Sequence, residues 1–200
     1  MTRSTEGPGP SSPIRIESPP EIRLHGIHPV PRVFHGDPRG FLVETLRVDD
    51  PAGAGSHFRM SYTSLTRPGQ FRDADRWHVH EVQTDRFIVL LGEMILALCD
   101  RRRDSPTRDR LAVVRMVGAP YVDRAATGAS SEPPSFLVPI PPGVLHCIGN
   151  LSSEPFVLQN FPTELYNPQD EGRVPFAELP IPSLGRPFSW DLVPRPPAPR

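Results

Sequence analysis

His78-Val79-His80-Glu81-Val82-Gln83-Thr84-Asp85, closed by Gly92, and Pro141-Pro142-Gly143-Val144-Leu145-His146, closed by Asn150, are the stretches whose reading decides the fold. Alternate side chains of a strand share a face, so His78 and His80 point the same way. Asp85 follows a short turn and stands near the start of the next strand. Pro141-Pro142-Gly143 is a rigid turn that aims His146 at a fixed angle. A small β-barrel would therefore turn three imidazoles and a carboxylate toward one cavity. Imidazole is both the commonest metal ligand and the commonest general base, so either role is open at this point.

Outward from these stretches the chain reads as short strands between turns. Phe41 to Val48 and Met60 to Thr66 are β-rich and partly alternating. Phe87 to Leu91 and Met94 to Cys99 flank Gly92-Glu93, which predicts a tight hairpin. Leu111 to Val117, Phe136 to Ile140 and Phe156 to Gln159 complete the set, and only Asp170 to Leu179 suggests a helical turn or two. The 28 prolines of the 200 residues argue against a helical protein, because proline removes a backbone donor and disrupts helix interiors. Many short strands with Gly/Pro turns predict one all-β sandwich or barrel.

Residues 1–20, rich in Pro, Ser, Gly and Glu, read as a flexible arm, and 186–200 read as a proline-rich tail anchored by Phe188 and Trp190. The domain is expected over 21–185. With 22 basic against 23 acidic residues, there is no global field to draw in nucleic acid or an anionic membrane, and neither is expected as a partner. Every basic residue is arginine, which excludes Schiff-base and phosphate-loop lysine chemistry. Met1 to Pro8 has no apolar stretch and no run reaches membrane-spanning length. With only Cys99 and Cys147, far apart, a reduced cytoplasmic protein is expected. Cys147 is expected to point away from His146. Trp77 is read either as stacking on a ligand or as packing against the barrel wall. The Asn150-Leu151-Ser152 glycosylation pattern is read as coincidence.

The two opening stretches resemble the paired motifs of the cupin superfamily, whose fold is a jelly roll or double-stranded β-helix barrel with little helix. That resemblance implies a divalent metal (Fe, Mn, Ni or Zn) held by His78, His80 and His146, with Asp85 at the position of the usual glutamate. A wider resemblance, over about residues 29–178, is to the dTDP-4-dehydrorhamnose 3,5-epimerase group. It is carried by Asp37-Pro-Arg39-Gly40-Phe41-Leu-Val-Glu44, Ser61-Tyr-Thr-Ser64 with Arg67-Pro-Gly69, Asp100 to Thr107, Ile140 to His146, and Tyr166-Asn-Pro-x-Asp170-Glu171. This second resemblance implies His78 as general base, with His146 and Tyr166 as further catalytic groups. It also implies that Arg39, Glu44, Arg76, Arg86 and Asn160 hold a small-molecule sugar nucleotide. It implies a homodimer through the N-terminal strands, and no cofactor. Asn160 stands where the family has its acid tyrosine, so Tyr166 is taken as the nearest phenol. The aspartate that pairs with the family's base has no match.

The leading expectation is an epimerase acting on a nucleotide-activated 4-keto-6-deoxy sugar. The ketone acidifies its neighbouring C–H bonds, a base removes one proton, and an acid on the opposite face returns another. Alternatives are a metal-dependent isomerase or oxygenase, and a binding protein that keeps the cavity without the acid–base pair.

Overall fold

The computed structural model describes residues 14–51, 57–119 and 135–195. The strands are β1 (Ile16–Glu17), β2 (Val30–Arg32), β3 (Phe34–Asp37), β4 (Gly40–Val43) and β5 (Tyr62–Thr66). They continue with β6 (Arg76–His80), β7 (Asp85–Leu91), β8 (Glu93–Asp100), β9 (Leu111–Val117) and β10 (Ser135–Ile140). The last are β11 (Val144–Gly149), β12 (Phe156–Asn160), β13 (Glu171–Pro175), β14 (Pro180–Ile181) and β15 (Arg186–Pro187). No α-helix occurs among the described residues, and Phe176–Glu178 forms a single 3-10 turn after β13.

Six strands form one sheet in the order β1-β9-β8-β11-β6-β13, and five form the other in the order β2-β10-β7-β12-β5. The sheets face each other in a jelly roll, as expected. Phe87, Val89, Leu158 and Val138 from the five-stranded sheet meet Met94, Leu96, Leu98, Val114 and Ile148 from the six-stranded one. Each aliphatic side chain fully withdrawn from water there contributes roughly 1.5–3 kcal/mol.

The six-stranded sheet is buried on its outer face too. Ile95, Ala97, Cys99, Val113, Leu145 and Cys147 point outward and are covered by Ile14, Phe176, Ile181, Phe188, Trp190 and Val193. This explains the unbroken apolar run of β8, since a strand covered on both faces has no polar side to show. Parts of both chain ends contribute to this cover. Ile16–Glu17 pairs with β9, and β15 pairs with β14 while Phe188 and Trp190 are buried. The described parts of the arm and tail therefore belong to the fold, because the outer sheet face is apolar and needs a cover. Residues 1–13 and 196–200 lie outside the described residues.

The expected hairpin at Gly92-Glu93 is absent. β7 pairs with β10 and β12 in one sheet, whereas β8 pairs with β9 and β11 in the other, so this turn carries the chain between sheets. Gly92 has φ +74, and a Cβ there would lie 2.3 Å from the Pro155 carbonyl oxygen. The predicted strand 41–48 ends at Val43, in a short β3–β4 hairpin outside the two main sheets. Part of the Asp170–Leu179 segment is β13 and not helix, because it finds an open edge beside β6.

Two resembling segments turn out to be structural clasps. Asp100, fully buried, accepts from Arg102, Ser105 and Thr107 and ties down the β8–β9 loop. Asn150, also fully buried, donates to the carbonyls of Thr66 and Glu154.

The turn at Gly92 gives a direct test. Gly92→Ala combines a left-handed backbone with a main-chain clash and is expected to cost more than about 2 kcal/mol in urea unfolding. Gly185→Ala, at φ +65 with nothing within 4 Å, meets only the backbone penalty and is expected to cost about 1 kcal/mol.

Candidate active site

Strand register brings the site together. His146 on β11 lies directly opposite His78 on β6, and Arg173 on β13 lies opposite His78 on the other side. Residues paired in this way share a face, so His146, His78 and Arg173 form a row across the inner surface of the six-stranded sheet. On the facing sheet, Asn160 pairs with Phe87 on one side and Tyr62 on the other, which makes a second row. Asp85 is two residues before Phe87 and points inward with it. A cavity of about 290 Å³ lies between the rows, lined among others by Tyr62, Arg72, Asp73, His78, Asp85 and His146. β5 and β13, which bring Tyr62 and Arg173, are both sheet edges.

The imidazoles cluster tightly. Ring centres are 4.6 Å apart for His78 and His80 and 5.1 Å apart for His78 and His146, and one nitrogen from each of the three lies within 4.8 Å of the others. His146 turns Nδ1 to the Val144 carbonyl at 3.2 Å, leaving Nε2 toward the cavity. The Nε2 atoms of both His78 and His146 are buried without a hydrogen bond. His80 is occupied on both nitrogens, Nδ1 facing the Asp170 carbonyl at 3.2 Å and Nε2 facing the Gln83 amide at 3.1 Å.

Asp85 is the buried charge around which this is arranged. Its Oδ1 accepts from Asn160 at 2.7 Å and from Gln83 at 2.9 Å. Its Oδ2 lies 3.3 Å from His146 Nε2 and 3.5 Å from His80 Nε2, close enough for attraction but off the hydrogen-bonding direction. Burial alone would favour the neutral acid, but His146, His80 and Asn160 outweigh it and hold the carboxyl well below its usual range. The imidazoles split. Burial, reinforced by the charges of His146 and His80, pushes His78 down to about 4. Burial also opposes charge on His80, yet the attraction of Asp85 and Asp170 raises it.

His78, His80, His146, Asp85 and Asn160 thus converge as expected, although Asp85 is spent on Asn160 and Gln83 and lies outside the three-imidazole group. Arg86 is buried on the other side of β7, where it donates to the Phe161 carbonyl. Arg39 pairs with Asp37 at the β3–β4 turn, Glu44 with Arg47, and Arg76 with Asp75; all are exposed and none of them lines the cavity. Alternation explains Arg86, since the neighbour of an inward residue points outward. Tyr166 is 71% exposed and lines a separate groove with Arg59 and Val82. Its hydroxyl lies 3.4 Å from Glu171. Trp77 packs against Phe176 and Phe188 in the outer cluster, and Cys147 points there too.

Sequence reading missed Tyr62, Arg72, Asp73, Glu171 and Arg173 as site residues. Arg173 donates to Asp73 and to Glu171, both at 2.6 Å, and Glu171 lies 3.4 Å from His78 Nε2. Glu171 is therefore the carboxylate nearest His78 among the described residues. Its place in the resembling Tyr166–Glu171 segment was the one available clue.

No protein-family model matches the chain. The chain is 32% identical over 162 residues to a probable low-salt glycan biosynthesis epimerase of Haloferax volcanii, an alignment covering 76% of this chain and 88% of that protein. A dTDP sugar isomerase from Desulfovibrio desulfuricans superposes with a TM-score of 0.66 at 25% identity, covering 87% of this chain and 98% of that one. A dTDP-6-deoxy-D-glucose-3,5-epimerase from Legionella pneumophila, solved with dTDP-4-keto-L-rhamnose, shares the fold with a TM-score of 0.63 at 21% identity, covering 92% and 88%. The fold and the histidine-lined cavity define a cupin enzyme of the epimerase and isomerase class. Within it, this chain belongs to the family of the glycan biosynthesis epimerase it matches, and it shares its fold with dTDP-4-dehydrorhamnose 3,5-epimerases.

A pH titration by NMR checks the charge assignment. His78 is expected to stay neutral until the pH falls to about 4, while His80 keeps its proton above the ordinary histidine value of 6.5. Asp85→Asn removes the attraction that raises His80 and is expected to bring its midpoint down.

Proposed function

We propose that the protein epimerises a nucleotide-activated 4-keto-6-deoxy sugar at a carbon beside the ketone, with His78 as the base. The observation that carries this reading is the His78 Nε2, buried and without a hydrogen bond, in a cavity between two inward-facing rows of side chains. The named activities of the relatives support a dTDP-sugar substrate. Burial and neighbouring imidazoles keep His78 neutral near pH 7, the state in which it can accept a proton. His146, next to it in the same row, is the group that would stabilise the enolate oxygen. Arg72 and Arg173 bring positive charge to the cavity wall and take the diphosphate role expected of Arg39, Arg76 and Arg86. This route uses only protein groups and needs no cofactor.

A metal is the second reading, favoured by the nitrogens of His78, His80 and His146 lying within 4.8 Å of one another. A divalent ion held there would polarise the ketone as a Lewis acid. Against it stands the engagement of both His80 nitrogens with Asp170 and Gln83.

The remaining expectations are carried as parts of this reading. A homodimer through the N-terminal strands fits the exposed Val33, Phe41 and Leu42, at 61%, 44% and 62% of their full exposure. A reducing cytoplasm fits two free, buried cysteines, with burial pushing the Cys99 thiol up to about 12. No helix among the described residues is long and apolar enough to cross a membrane.

Incubation with a dTDP-4-keto-6-deoxy sugar in D₂O is expected to yield an epimer carrying deuterium beside the ketone. His78→Asn is expected to slow this about 10²–10⁴-fold, the usual worth of a positioned proton-transfer group. Absence of deuterium with the native enzyme removes the reading for that substrate. Activity is expected to survive chelation, whereas one equivalent of metal, lost together with activity in His80→Ala, establishes the second reading. Light scattering is expected to give twice the 22.2 kDa chain mass, and Leu42→Asp to halve it.

A further inference from the structure

Inversion at carbon demands two groups on opposite faces of the sugar. One takes a proton and the other supplies one, and a single residue can only return the proton to the face it came from. His78 stands on the six-stranded wall. The group facing it must come from the five-stranded wall, carry a dissociable proton and reach the cavity. On that wall Asn160 has an amide, which is no proton donor at neutral pH, and Asp85 is almost fully buried and turned to Asn160 and Gln83. Tyr166, the phenol expected from sequence, is on neither wall and lines another groove.

Tyr62 meets every requirement. It lies on β5 directly opposite Asn160, so its side chain shares the inner face of the five-stranded sheet, and it lines the same cavity as His78 and His146. Its hydroxyl oxygen accepts a hydrogen bond from Asn160 Nδ2 at 2.9 Å. Asn160 also donates to Asp85, and its own Oδ1 accepts from the Arg86 main-chain N–H, so the amide is fixed in orientation and holds the phenol oxygen in place. Because the amide supplies the donor in that contact, the phenol hydrogen is left free to point into the cavity.

We propose that Tyr62 is the general acid of the epimerisation, facing His78 across the cavity, and that Asn160 is its positioning residue. This rests on the epimerase reading of the same site. His78 takes the proton from the carbon beside the ketone, and the C–H electron pair becomes the enolate. The enolate carbon then takes the Tyr62 hydroxyl proton on its other face, and the ketone re-forms. The phenolate recovers a proton from water, and the imidazolium loses its proton to water. Tyr62 is 43% exposed on an edge strand, which gives it that contact with solvent. Burial and the charge of Asp85 both raise the phenol above its ordinary value, so it starts the cycle protonated.

Tyr62→Phe removes the proton and one oxygen from a half-exposed edge position, and Asn160 keeps its bond to Asp85, so the variant is expected to fold and melt like the native enzyme. In D₂O its rate of epimer formation is expected to fall about 10²–10⁴-fold. The unepimerised substrate is still expected to gain deuterium at the same carbon, because His78 continues to remove and return a proton on its own face. This retained exchange also reports an intact site. Epimer formation within about threefold of native overturns the assignment, and so does equal loss of exchange and inversion in a variant that melts normally. Failure of the native enzyme to exchange at all overturns the epimerase reading and this assignment together, whereas the first two results overturn only the assignment. Tyr166→Phe is the paired comparison, and a selective loss of inversion there with Tyr62→Phe unaffected overturns the assignment.

Discussion

A slip of one residue between β6 and its neighbours would send His78 and His80 into the outer apolar cluster and turn Trp77 into the cavity. The register His146↔His78 and Arg173↔His78 is therefore the constraint on which the rest of the site depends. It is enforced from outside. Trp77, Leu145 and Cys147 are buried against Phe176, Phe188 and Trp190, so the wrong register would expose aromatic surface and bury imidazoles without partners. Trp190 strengthens this cover by donating from its indole nitrogen to the Asp73 carbonyl at 3.1 Å. The C-terminal segment thus takes part in positioning the histidines although it never touches the cavity.

On the facing wall the organising feature is a charge. A carboxylate as buried as Asp85 survives only when surrounded by donors and positive partners. Asn160, Gln83 and the imidazoles of His80 and His146 supply them, and in doing so lose their own freedom to rotate. The phenol of Tyr62 is held by the same amide. One buried charge therefore sets the geometry of one wall, and the apolar cover of the opposite sheet sets the geometry of the other. His78 and the Tyr62 phenol end up on different sheets for this reason, which is the arrangement that the proposed inversion requires.

Much of this was legible in the chain. The His-x-His alternation, the Pro-Pro-Gly turn before His146 and the short strands between turns lead to the right fold and to the three imidazoles, because these are local properties of strands and turns. The resembling segments lead to the family. Where the basic side chains point was not legible, for a physical reason. Arginine is long and is common on surfaces, so its place in a motif does not say which way its head points. Arg86 points away from the cavity in the fold, while Arg173 lies in a strand that sequence reading took for a helical turn. Gly92 shows the same limit, since a glycine that turns a hairpin and one that carries the chain between sheets look alike in sequence.

The sequence by itself determined the periodicity of the strands, the faces shared by His78 and His80, and the turn that leads to His146. These follow from backbone geometry over a few residues. Only the tertiary structure decided that Tyr62, distant in sequence from Asn160, lies beside it, and that Glu171 rather than an aspartate approaches His78. It also decided that Phe188 and Trp190 close the outer face. Cross-strand neighbours are chosen by sheet order and register, which depend on how all the apolar faces are covered at once. No short stretch of sequence contains that information.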